Sequence, residues 1–278
     1  MKKNQHHHQL MPLTRRRFLS SGGHFLWGLT LVSCAPGPDP NLEPEITLTI
    51  SAAASLQTLF QTLQPVFQKQ FPEIKLLFNF ASSGALQRQI EQGAQVDVFI
   101  PASSRHMDDL EQQGLILAGT RRSLFQNRMA LVTAKHIDFV KSFPDLLGDA
   151  VETMAIGQPE SSPVGQYAQE ILKSLELYQL LKSKLIYGKD ARQILTYVTT
   201  GNAEVALVYS SDLTQTEQVN LVEIVGEELH SPIVYPGGAI ADSPNQTAAV
   251  AFLDFLQGAI AQKQIAAQGF QIEAPKQR

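Results

Sequence analysis

Ile46-Thr-Leu-Thr-Ile-Ser-Ala-Ala-Ala-Ser-Leu-Gln-Thr-Leu-Phe60 changes period half-way along. Ile46, Leu48 and Ile50 alternate with Thr47 and Thr49, and then Leu56, Leu59, Phe60, Leu63, Val66 and Phe67 recur at helical spacing. A period of two giving way to one of about 3.6 predicts a β-strand running straight into an α-helix. Ser55 stands at the junction, where an N-cap belongs, and Ala52, Ala53 and Ala54 leave the space beside it open. A helix start with unpaired N–H groups and a hydroxyl receives anions, although a serine in this place more often only caps. Pro65 is expected to bend the helix or end it early.

The same pattern recurs downstream. Ile74 to Phe80 and Val96 to Ile100 read as strands, and Leu86 to Ile90 and Ser104 to Gln113 as helices, which is the β-α-β-α order of an α/β sheet. The rhythm breaks over residues 122–128. A fresh set then begins with strand Met129 to Thr133, helix Phe143 to Leu147 and strand Thr153 to Ile156. It continues with helices Gly165 to Leu175, Tyr178 to Lys182 and Ala191 to Thr199, and with strand Glu204 to Tyr209. Leu221 to Val225 and Ile233 to Ile240 are strand-like, and residues 247–268 form an Ala-rich helical tail. Two α/β sets joined by two crossings predict two lobes with a cleft, although one larger doubly wound sheet fits nearly as well. In such sheets ligands bind beyond the carboxyl ends of the strands.

At those ends lie four more anion-receiving stretches. Phe80-Ala-Ser-Ser-Gly-Ala-Leu86 offers Ser83 and a glycine at a helix start. Gln158-Pro-Glu-Ser-Ser-Pro-Val-Gly-Gln-Tyr167 places Pro163 at a first helical position, leaving the N–H groups of Val164 and Gly165 as free donors. Lys189-Asp-Ala-Arg-Gln193 starts a helix with Asp190 as its cap and the Ala191 N–H exposed. Val205-Ala-Leu-Val-Tyr-Ser-Ser-Asp212 ends a buried strand with Tyr209.

The amino-terminal 33 residues read as an address. Thr14-Arg-Arg-Arg-Phe-Leu19 and the apolar run Phe25 to Val32 match a signal peptide of the twin-arginine type. Leu31-Val-Ser-Cys34 is similar to a lipoprotein cleavage site, so Cys34, the single cysteine, is expected to carry a lipid, and residues 34–45 to form a linker. The protein is expected at the cell surface or in the periplasm, anchored to the membrane through that lipid. Removing the leader's five basic residues from the 22 leaves 17 against 26 acidic ones, a net charge of −9, which repels nucleic acid. The chain has no Gly-x-Ser-x-Gly elbow, Walker loop, dinucleotide fingerprint or Cys/His metal cluster, so an enzyme is not expected. His106, His136 and His230 read as solvated or capping.

Taken in order, Ala-Ala-Ala-Ser-Leu, Phe-Ala-Ser-Ser-Gly, Ala-Gln-Val-Asp-Val-Phe, Gly-Gln-Pro-Glu-Ser-Ser-Pro-Val-Gly-Gln-Tyr-Ala, Asp-Ala-Arg and Val-Tyr-Ser-Ser-Asp resemble the periplasmic molybdate-binding proteins of ABC importers, over nearly the whole chain after the leader. The resemblance implies an α/β, two-lobed periplasmic binding protein, each lobe a mixed sheet flanked by helices. Lobe 1 would comprise residues 46–126 and 231–278, and lobe 2 residues 127–230. It implies Ser55, Ser83, Val164, Ala191 and Tyr209 as ligands of molybdate or tungstate, with no cofactor and no bare metal ion. A permease and an ATPase would be the partners of a monomeric binding protein. Gly84, where some members carry a third serine, is expected to loosen its loop. Another oxyanion or a small organic anion is the alternative ligand; the latter would call on Arg88 or Arg192.

Overall fold

The computed structural model describes residues 46–272; the segments expected to be a signal peptide and a linker, with Cys34, lie outside the described residues. The first part of the chain runs β1 (Ile46–Ala53), α1 (Gln57–Gln70), β2 (Ile74–Ala81), α2 (Ser83–Glu91), β3 (Val98–Ile100), α3 (Ser104–Gln112) and β4 (Arg122–Asn127). Next come β5 (Met129–Ala134), β6 (Met154–Gly157), α4 (Pro163–Ser174), α5 (Tyr178–Leu181), β7 (Leu185–Gly188), α6 (Ala191–Thr199), β8 (Val205–Tyr209) and β9 (Val219–Ile224). β10 (Ile233–Ala239), α7 (Gln246–Gln257) and α8 (Ala259–Ala267) finish it.

These strands form two five-stranded mixed sheets, ordered β2-β1-β3-β10-β4 and β7-β6-β8-β5-β9. Each has the same plan. Three parallel strands (β2, β1, β3; β7, β6, β8) continue into an antiparallel neighbour (β10; β5), which an outer strand flanks (β4; β9). Strand order that places the first strand of a β-α-β unit in the middle creates a switch point, where the connections diverge and open a crevice. The chain leaves the first sheet at Asn127, enters the second at Met129, and returns between Ile224 and Ile233.

Three sequence expectations need correction. Residues 122–127 are not a break but β4, paired antiparallel with β10; a strand that closes a sheet's edge beside an antiparallel neighbour needs no helix before it. Pro65 neither ends α1 nor shortens it. It lies on the exposed face, and Gln61, whose carbonyl loses its helical donor, is exposed to water as well. The tail is two helices broken at Gly258, whose extended backbone (ψ 151°) ends α7 and starts α8. Residues 143–147 are helical as expected, but as a 310 turn.

The first lobe is held by an aromatic cluster in which Phe60 and Phe67 of α1 meet Phe252 of α7 edge-on at 5.9 and 5.3 Å. Edge-to-face packing of this kind adds about 0.5–1.5 kcal/mol per pair beyond the area buried. It fixes α1 on the sheet and with it the β1–α1 junction.

Candidate functional site

Ser55, Ser83, Val164, Ala191 and Tyr209 line one cavity between the two sheets. Ser83 is the first residue of α2, Val164 the second of α4 and Ala191 the first of α6. N–H groups in a first helical turn have no partner within the helix, so three helix starts aim free donors and partial positive charge at the same space. Among the described residues no lysine or arginine lines it. Arg88 and Arg192 stand on exposed helix faces, the latter 3.5 Å from Thr58 Oγ1. Among the described residues Asp190 is the one carboxylate at the wall, and it caps α6 by accepting the Gln193 N–H at 2.9 Å.

Tyr209 ends β8 with its side chain buried, and its Oη has no hydrogen-bond partner among the described residues. Burial pushes its phenol well above the ordinary value, so it keeps its proton and can only donate to an anion. Its N–H donates to Asp212 Oδ2 at 3.1 Å. Burial raises that carboxyl to about 7, the Tyr209 N–H pulling the other way, so near neutral pH Asp212 carries only part of a charge.

Local geometry changes four expectations. Ser55 is not an N-cap: a 310 turn, Ala54–Leu56, precedes α1 and moves the helix start behind it, so the hydroxyl caps nothing and lies 3.0 Å from Tyr235 Oη. The Gly165 N–H is not free, since it donates to Ser162 O at 2.9 Å, which leaves Val164 as the donor of that turn. Gly84 does not loosen its loop. Its N–H donates across the cleft to Ser161 O at 3.1 Å, and a Cβ there would lie 2.8 Å from that oxygen. His106 is buried under α2 on the apolar face of α3, with Met107 and Leu110, and burial lowers it to about 4, so it is neutral.

Sequence reading missed the groups behind the serines. Ser83 Oγ accepts the N–H of Ala102 at 3.0 Å. Tyr235 sits behind Ser55, with the Asn127 side chain behind it in turn. Tyr235 was visible only as an apolar position in a strand. Asn127 stood at the crossing, where a polar residue between two apolar runs was the only signal.

A cleft between two α/β lobes, lined by donors and small side chains, is the architecture of an extracytoplasmic solute receptor. The sequence matches the model of the bacterial extracellular solute-binding protein family over residues 48–271, and the chain belongs to that family. A Bacillus subtilis relative, provisionally named as the ABC transporter substrate-binding lipoprotein YvgL, is 40% identical over 232 residues, 83% of this chain and 88% of its own. The molybdate-binding protein ModA of Haemophilus influenzae is 32% identical over 229 residues, covering 80% of this chain and 89% of its own. Among solved structures, the substrate-binding domain of a provisionally assigned molybdenum ABC transporter from Clostridium difficile superposes with a TM-score of 0.66 at 38% identity. It covers 82% of this chain and 100% of that one. Among the described residues, no helix is long and apolar enough to cross a membrane.

Proposed function

We propose that this protein captures molybdate, and tungstate with it, and delivers the ion to the permease and ATPase of an ABC importer. The observation that carries the reading is the buried, unpartnered hydroxyl of Tyr209, facing the same cavity as the free N–H groups of three helix starts. Both ions are fully ionised near neutral pH, so each oxygen accepts and none donates. Ser55, Ser83, Val164, Ala191 and Tyr209 are all donors. Hydrogenphosphate would bring a proton for which the wall offers one carboxylate, Asp190, already engaged in capping α6, and an unsatisfied buried donor costs about 1–3 kcal/mol. Sulfate has the right protonation but is smaller, so a cavity shaped for the larger ion does not bring every donor within reach. Ser55 and Ser83 come from lobe 1 (46–126 and 231–278), the other three ligands from lobe 2 (127–230), and one chain supplies them all. Neither catalysis nor a cofactor enters this reading.

Tyr209→Phe removes one charge-assisted hydrogen bond and is expected to weaken molybdate by about 1.5–3 kcal/mol, roughly ten- to a hundredfold in Kd, in titration calorimetry. An unchanged Kd in a folded variant would remove the hydroxyl from the site. Wild type that ignores molybdate and tungstate but binds an organic anion would overturn the ligand class. Anchoring through Cys34 belongs to the same reading: Cys34→Ala should move the protein from the membrane to the soluble fraction, and an unaltered distribution would refute the lipid.

A further inference from the structure

Ser55 contributes to the proposed site only if its proton points into the cavity, and the bond to Tyr235, 3.0 Å long, leaves open which oxygen donates. Asn127 decides it. Its Oδ1 faces the backbone N–H groups of Arg128 at 2.9 Å and Ser211 at 3.4 Å, and the Ser210 hydroxyl at 3.1 Å. A backbone N–H cannot accept, so the atom that meets two of them is the oxygen, and the amide nitrogen must turn the other way. That nitrogen donates to Ser211 Oγ at 2.9 Å and to Tyr235 Oη at 3.4 Å. Tyr235 Oη is therefore already an acceptor, and Ser55 Oγ, 3.0 Å away in good geometry, is the acceptor that its own proton meets. Were Ser55 to donate instead, the buried Tyr235 proton would be left unpaired, a loss the protein avoids by the opposite polarity. Burial also raises the Tyr235 phenol, so the proton stays in place at any working pH.

We propose that Tyr235, oriented by Asn127, is a positioning residue that holds the Ser55 hydroxyl as a donor toward the cavity, and so helps the site select fully deprotonated tetrahedral anions. The inference rests on the molybdate reading above. Ser83 is held in the same sense by the Ala102 N–H, so each serine has one lone pair occupied and its proton free to turn to the cavity. The chain of bonds also spans the crossing between the sheets: Ser55 and Tyr235 belong to the first lobe, Asn127 is the last residue before the crossing, and Ser210 and Ser211 directly follow Tyr209. One amide thus aligns a hydroxyl on one side of the cavity while holding the turn behind the tyrosine on the other.

The test is a double-mutant cycle on anion binding. Tyr235→Phe keeps the ring, which packs 5.1 Å from Phe125 and 5.5 Å from Phe270, and removes the hydroxyl that donates to Ser55 and accepts the longer, 3.4 Å bond from Asn127. It is expected to weaken molybdate about tenfold, the size of one hydrogen bond to a charged group. Phosphate, measured by competition at pH 7, should be unaffected or tighter, so the preference for molybdate narrows. With Ser55→Ala already in place, Tyr235→Phe should change molybdate affinity less than twofold, because the hydroxyl it directs is gone. Equal weakening in both backgrounds, or uniform weakening of molybdate and phosphate, would mean that Tyr235 acts by packing and would overturn the proposal. So would no weakening at all. The cycle is run on sulfate as well. A wild type that binds sulfate and not molybdate overturns the ligand reading but leaves the Tyr235 cycle readable, and one that binds neither overturns both.

Discussion

Gly165→Ala is expected to cost about 3 kcal/mol of stability, the upper part of the range for overpacking a rigid site, and to lower Tm by roughly 6–12 °C. A Cβ at this position would lie 2.3 Å from Gly157 O and 2.4 Å from Gly157 C. The opposing contact is equally close, since a Cβ on Gly157 would meet Gly165 N at 2.6 Å. Both surfaces are backbone, so no side chain can swing aside, and α4 must lift off the end of β6. Because Val164 precedes Gly165, the lift also carries the Val164 N–H away from the cavity. Molybdate affinity should therefore fall together with stability. Gln166→Ala is the control: it lies one residue on, only partly buried, and should stay within about 0.5 kcal/mol of wild type. Scanning calorimetry on both variants decides the matter, and a Gly165→Ala protein melting with wild type would mean that α4 does not depend on this contact.

The contrast between these two glycines and the rest of the site marks what was legible in the sequence. The two-set α/β order was readable because apolar period distinguishes strand from helix locally, and β2, α6 and β8 fall within one residue of expectation at each end. The five expected ligand residues reach one cavity because each lies where a strand ends or a helix begins, and such junctions carry short local signatures in small residues, serine and proline. Distance along the chain hid the remainder. Ser55 meets Tyr235 from 180 residues away and Asn127 meets Ser211 from 84, and neither pair leaves a trace in local pattern. Ser55 was misread as a cap for a related reason: a 310 turn before α1 differs from a helix start by two residues, below what periodicity resolves. His106 looked solvated because its helix is strongly polar, yet it sits one place before Met107 and four before Leu110, on the face that packs inward.

Gly84→Ala should separate binding from folding, where Gly165→Ala does not. In the structure the contacts across the cleft include the Gly84 N–H on Ser161 O, 3.1 Å, the Tyr167 hydroxyl on Ala102 O, 3.3 Å, and the Thr58 hydroxyl on Gln215 Oε1, 2.9 Å. An alanine Cβ would stand 2.8 Å from Ser161 O and 3.2 Å from its Cα, with the buried His106 ring 3.3 Å away, so the lobes cannot approach as they do here. The expected loss is about 2–4 kcal/mol of molybdate affinity, combining overpacking with a broken hydrogen bond, or roughly thirty- to a thousandfold in Kd. When the lobes are apart Ser161 is no longer there to be struck, and alanine's better helix propensity offsets the crowding that remains against the His106 ring of the same lobe, so unliganded stability should change by less than about 1 kcal/mol. Scattering on the wild type should show compaction as molybdate binds, and the variant should stay extended at the same occupancy. Equal affinity and equal compaction in the two proteins would mean that the Gly84–Ser161 contact does not hold the closed form together.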